Sequence, residues 1–227
     1  MIFFSISIYS LKFRNYFLPL IFLFLFLFVA CTKSKTEYWE SGNKKSELTY
    51  LHDKLEGLCT WWYQDGTKQM ECNYTDNLLE GKSTRWYPTG VIQRTDNYKK
   101  NLLNGISIEY YESGGKKAEL NYISDTLQGS VKEWHENGQV KYTGSYKKGN
   151  YDGSWSYWDR NGLKVGEGQY DDGNGLQKGF YPDGKIKREI HFVDNKKNGF
   201  ETWYDAEGKI VKKIVYENDH IVSEEKL

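Results

Sequence analysis

One glycine returns at fixed intervals through most of this chain: Gly42, Gly66, Gly90, Gly114, Gly138, Gly162, Gly184 and Gly208, in steps of 24, 24, 24, 24, 24, 22 and 24 residues. A second series, Gly57, Gly81, Gly105, Gly129, Gly153, Gly175 and Gly199, stands nine residues before the next member of the first. A period of this length marks a repeat array, in which each small unit buries its apolar face on its neighbours. The 227 residues therefore need no single globular core.

The stretch Gly57 to Tyr74, GLCTWWYQDGTKQMECNY, shows what one unit is. Two aromatic-rich runs flank Asp65-Gly66, the pattern of a β-hairpin. With 19 Tyr, 8 Trp, 11 Phe and 22 Gly against 3 Pro and 2 Met, the composition suits short strands joined by glycine turns and suits helices badly. The fold expected is all-β: a single-layer antiparallel hairpin solenoid of about eight 24-residue units over residues 37–227.

Two prolines fix the expected turn. Pro88 and Pro182 lie two residues before their turn glycines, where a two-residue type I′ turn would need a paired N–H. A three-residue loop on a type I turn, with the glycine left-handed in a bulge, accepts proline there. In that register Trp86 faces Ile92, Trp134 faces Val140 and Phe180 faces Ile186. The same face is expected to carry Leu48, Leu120, Ile190 and Ile214, followed by a row of tyrosines.

Two aromatic ladders follow from the period. Four residues before each turn glycine stand Tyr38, Trp62, Trp86, Tyr110, Trp134, Trp158, Phe180 and Tyr204. Eight residues after it stand Tyr50, Tyr74, Tyr98, Tyr122, Tyr146, Tyr170, Phe192 and Tyr216. The opposite face is expected to carry Glu47, Glu71, Glu119, Glu167 and Glu189 with a second aromatic row, Trp39, Tyr63, Tyr87, Tyr111 and Tyr181. That row is the candidate binding surface, suited to an extended peptide or a glycan; the alternative is that it shields the outer side of a thin sheet. Leu55, Leu79, Leu103, Leu127, Tyr151 and Ile221 are expected to tuck the other connections against the sheet. Asp171 to Gly175, where the period shortens, is predicted to bend or weaken the array near 171–179. The last unit ends polar, as a capping repeat should.

Residues 1–30 differ in kind. Lys12 and Arg14 precede an apolar run, Phe17 to Val29, of about 13 residues, the length of a secretory signal's apolar part and short of the roughly 20 a spanning helix needs. Ala30-Cys31 resembles a lipobox, so Cys31 is expected to carry lipid as the first mature residue, with 31–36 a polar tether. Ordinary signal cleavage and an uncleaved anchor are the alternatives; in each case the repeats face away from the cytoplasm. Formal charge is balanced, 31 basic against 31 acidic residues. No basic stripe follows a phosphate backbone, which disfavours nucleic acid.

Aromatic-aromatic-x-x-Gly turns, a tyrosine eight residues on and an x-x-Gly opening of each unit resemble the bacterial MORN-repeat variant, many of whose members are labelled YwqK-type antitoxins. The resemblance covers about residues 37–222 and implies a hairpin solenoid used for binding. An exported lipoprotein does not simply meet a cytoplasmic toxin, so the scaffold reading comes first, with an immunity or antitoxin-like protein as an alternative.

Chemistry is not expected. His52, His135, His191 and His220 fall in different units at different positions, and units lie roughly 10 Å apart. No HExxH, GxSxG, P-loop or dinucleotide fingerprint is present. Asp76-Asn77, Asp171-Asp172 and Asp194-Asn195 lack the alternating carboxylates of a calcium loop and read as turn residues. No cofactor or metal is implied. Cys59 and Cys72 sit on the two arms of one hairpin; in the register above they point to opposite faces, making Cys72 a buried thiol, with a disulfide as the alternative. The partners expected are a protein, the membrane through Cys31, and as an alternative cell-wall carbohydrate.

Overall fold

The computed structural model describes residues 32–227; the apolar segment and Cys31, with their signal and lipid-attachment readings, lie outside the described residues. The described residues form one antiparallel sheet of 20 strands and contain no helix. Lys54–Leu55, Leu102–Leu103 and Thr126–Leu127 each lead into the next strand and share its partner, and the rest pair with their neighbours in the chain, so the sheet is a meander from Lys33–Tyr38 to His220–Lys226. Lys33 to Thr36 belong to the first strand and pair with Tyr50 to Glu47. The expected tether is therefore part of the sheet from Lys33 onward, because alternating Lys and Ser/Thr side chains suit an edge strand.

The glycine turns have the expected form. Tyr87 N–H donates to Val91 O at 2.8 Å and Gly90 N–H to Tyr87 O at 2.9 Å, enclosing Pro88, Thr89 and Gly90. Gly90 has φ of 82°, a conformation that other residues adopt only with strain. Trp86 lies opposite Ile92, Trp134 opposite Val140 and Phe180 opposite Ile186.

Immediately beyond these pairs the register slips. Arg85 lies opposite Arg94, which leaves Gln93 as an extra residue on the departing strand. The same shift recurs after each glycine turn. One extra residue exchanges the faces of everything after it. The ladder of Trp62 and Trp86 and the ladder of Tyr74 and Tyr98 consequently lie on opposite faces, where one shared face was expected. Likewise Cys59 lies directly opposite Cys72. The expectation that the cysteines diverge is overturned, since it counted a bulge in the turn and none in the ladder.

The other connections are two-residue turns with both φ positive, as in Asp76 (54°) and Asn77 (68°), the geometry of a type I′ hairpin. Beyond such a turn the arriving strand carries two extra residues: Tyr74 pairs with Leu79, but Cys72 pairs with Ser83. In the 22-residue unit these two residues are the missing ones. Lys164–Asp171 and Asn174–Phe180 pair without a shift. Residues 171–179, where a bend was expected, lie in an unbroken ladder, because the deletion removes a bulge and leaves the pairing intact.

The core lies on the tyrosine side of the sheet. Val131, Trp155 and Tyr170 are buried, with Leu120, Tyr142, Tyr146, Tyr151, Tyr157 and Phe192 packed around them. Tyr151, in the slot of Leu55 and Leu79, stacks on Tyr146 with ring centroids 5.5 Å apart and meets Trp155 edge-on at 4.9 Å. Ile221 holds the same slot in the last strand and remains 57% exposed, because no further unit covers it.

Candidate functional site

Two long side-chain rows offer themselves as a site. The proposed binding row ties one unit to the next. Tyr63 Oη donates to Trp86 O at 2.9 Å, Tyr87 Oη to Tyr110 O at 2.9 Å, Tyr111 Oη to Trp134 O at 2.7 Å and Tyr181 Oη to Tyr204 O at 2.7 Å. Trp39 Nε1 does the same to Trp62 O at 3.1 Å. His135 Nε2 lies 3.0 Å from Trp158 O, so its proton sits on that nitrogen. Asp159 cannot reach across and instead accepts from the N–H groups of Asn161 and Leu163 in its own turn. The rings of the row are half-buried and their polar tips are occupied.

The other row lies on the opposite face. Lys44 with Glu47, Lys68 with Glu71, Lys116 with Glu119 and Lys164 with Glu167 form ion pairs of 2.8, 2.6, 2.9 and 2.9 Å. Three of these lysines also reach forward over an aromatic of the next unit: Lys44 over Trp62 at 5.5 Å, Lys68 over Trp86 at 5.5 Å and Lys116 over Trp134 at 5.6 Å. An exposed cation over a ring contributes about 0.5–1 kcal/mol, and an exposed ion pair about as much or less. These units of the face therefore present an ammonium, a carboxylate and a half-covered indole side by side.

A comparison with protein-family models matches this pattern to the MORN repeat variant at residues 34–52, 55–76, 79–100, 103–124, 127–148, 173–194 and 197–218, together more than half of the chain. The chain belongs to the MORN repeat variant family. No curated protein matches the chain significantly. The MORN matches skip residues 149–172. That unmatched unit nevertheless forms the same hairpin, and it supplies Trp155 and Tyr170 to the core.

The turn residues of the MORN units are a third row. Asn77 N–H donates to Leu55 O at 3.0 Å while Asn77 Oδ1 accepts from Leu55 N–H at 2.7 Å. Asn101 repeats this with Leu79, and Asp125 with Leu103. Gly149 and Gly173 have no side chain to offer. Asn195 spans the gap, accepting from Tyr151 N–H at 2.8 Å and donating to Asn150 Oδ1 at 2.7 Å. Asp76-Asn77 and Asp194-Asn195 thus act in turns, and no group of three His, Cys, Asp or Glu residues close enough to hold a metal occurs among the described residues.

Two buried charge clusters on the tyrosine face escaped the sequence reading. Asp96 accepts from Arg94 Nε at 2.8 and 2.9 Å and from Ser107 Oγ at 2.6 Å. Glu201, 2% exposed, accepts from Trp203 Nε1 at 2.8 Å and Lys197 Nζ at 3.0 Å. The signal for Asp96 was available: it occupies the slot that Leu48, Leu120 and Ile190 fill in other units. Both carboxylates are fully partnered, as buried charges must be. Elsewhere on this face burial pushes the tyrosine phenols up, Tyr74 and Tyr157 to about 12 and Tyr170 further.

Two open grooves are lined by charged and hydroxyl side chains, the first together with Trp155 and Leu176. One of about 520 Å³ is lined by Ser154, Ser156, Lys164, Glu167, Gln169 and Lys178. Another of about 210 Å³ lies between Arg85, Arg94, Glu109 and Lys117. Neither contains a nucleophile held by a base, the minimum that covalent catalysis requires.

Proposed function

We propose that this MORN variant chain is a non-catalytic scaffold that docks a protein partner along its Lys/Glu face, exported and held at a bacterial membrane by lipid on Cys31. The observation that carries the reading is the continuous sheet whose outer face carries the same ion pair in four units, Lys44–Glu47, Lys68–Glu71, Lys116–Glu119 and Lys164–Glu167. Repeat arrays use such extended surfaces for binding. The resemblance to YwqK-type proteins supports a binding array of this kind, and an antitoxin-like role would have to be met outside the cytoplasm.

Pull-down from detergent extracts tests the docking. A specific protein is expected with the wild-type chain and lost with the pair Glu71→Lys and Glu119→Lys; recovery of none, or retention by the double variant, sinks the reading. Anchoring is tested separately by palmitate labelling, which Cys31→Ser should abolish while releasing the chain from membranes. Labelling that persists in Cys31→Ser would refute it.

The groove of hydroxyl, amide and charged groups at Ser154 to Lys178 supports carbohydrate as the second reading. Sedimentation with purified peptidoglycan separates the two. If the aromatic row Tyr63, Tyr87 and Tyr111 stacks on sugar, Tyr87→Ala loses the pelleted fraction and Tyr87→Phe keeps it.

A further inference from the structure

Each hairpin places two residues opposite one another at the same depth of the tyrosine face. The pairs include Lys35 with Leu48, Ser107 with Leu120, Val131 with Gly144 and Ile190 with Gln177. In the hairpin of Gly57–Trp62 and Lys68–Thr75 the pair is Cys59 with Cys72, and the two are 0% and 1% exposed. Directly opposed residues of antiparallel strands have Cα atoms about 4.5–5.5 Å apart, inside the span a disulfide bridges. They are free thiols here.

We propose that Cys59 and Cys72 are a dithiol–disulfide site that closes while this hairpin folds and then locks it. The oxidant is a disulfide donor, either a protein disulfide or oxidised glutathione. One cysteine attacks as thiolate, forms a mixed disulfide and expels one donor thiol. The second attacks the first cysteine's sulfur, forms the Cys59–Cys72 bond and expels the second donor thiol; the pair loses two protons and two electrons, which the donor gains. Timing follows from burial. In the finished sheet burial pushes the Cys59 thiol up and Cys72 to about 11, so little thiolate remains to attack or be attacked. Exchange belongs to the open hairpin, and the closed one protects whichever state it holds. This site is independent of the docking reading.

The full chain, refolded in a mixture of oxidised and reduced glutathione, blocked with iodoacetamide and cut with trypsin, tests the site. Cys59 lies in peptide 55–68 and Cys72 in peptide 69–82. The expected product is the two peptides linked, lighter by two hydrogens than their sum. Reductant added before heating should then lower the Tm by roughly 5–10 °C, the scale of a short disulfide loop in a domain of this size. The Cys59→Ala, Cys72→Ala double variant should show no response to reductant. Two separately alkylated peptides from folded wild-type chain would overturn the site. A linked pair whose reduction leaves the Tm unchanged would overturn the lock.

Discussion

Trp155 is held in place by what its neighbours lack. A Cβ on Gly144 would come within 2.1 Å of the indole, and Gly168, opposite Trp155, would meet the Tyr170 ring at 2.5 Å. Gly144 thus makes room for the indole of Trp155, and Gly168 for the ring of Tyr170. Gly144→Ala should destabilise by about 1–3 kcal/mol, the usual cost of overpacking, read as a lower midpoint in urea. Truncating the ring instead leaves a cavity, and Trp155→Ala should cost about 3–5 kcal/mol in the same measurement. The tyrosines around it set an alkaline limit. The folded pKa values of Tyr142, Tyr146, Tyr157 and Tyr170 lie above the ordinary value near 10, with burial the first cause. A raised pKa contributes stability that is whole below pH 10 and is lost as the unfolded chain, and not the folded one, gives up protons. Stability should therefore fall between about pH 10 and 12. Tyrosinate absorbance should rise together with loss of β-sheet circular dichroism; tyrosinate that forms while the sheet stays intact would contradict this.

The hairpin was legible in outline and misread in one detail. Pro88, Pro182 and the turn glycines were enough to place the three-residue loop, because proline and left-handed glycine each tolerate few backbone conformations. Gln93 and its equivalents gave no sign that they bulge. They are Lys, Gln and Val residues without a shared chemistry, and a bulge of this kind depends on how the strands twist against the next hairpin. The consequence fell on Cys59 and Cys72 and on the two aromatic ladders, all of which changed partners or faces. The contacts between units give a prediction at this scale. Tyr87→Phe removes the bond to Tyr110 O and should cost about 0.5–1.5 kcal/mol, with faster hydrogen exchange on both sides of that junction. Asn195→Ala should do more than Asn77→Ala, since Asn195 holds Tyr151 two turns away where Gly149 and Gly173 supply nothing.

Among the described residues the outermost strands of the sheet are Lys33–Tyr38 and His220–Lys226. Lys35, opposite Leu48, and Glu224, opposite Ile214, put a charge at each end in the slot that Trp155 fills inside. Inward-facing charges on edge strands oppose pairing with another sheet. Lys35→Ile with Glu224→Val should therefore shift the chain towards larger species than the wild type in sedimentation velocity, and an unchanged profile would show that these charges do not guard the outer strands.

The sequence by itself determined the repeat, the all-β class, the glycine turns and the aromatic rows, since a period and a turn conformation are properties of neighbours in the chain. Only the tertiary structure decided which row shares a face with which, that Cys59 meets Cys72, and that the short unit continues the sheet. Those depend on single extra residues within strands. Such a residue becomes a bulge, or is absent without loss, only once the adjoining strand fixes the register against it.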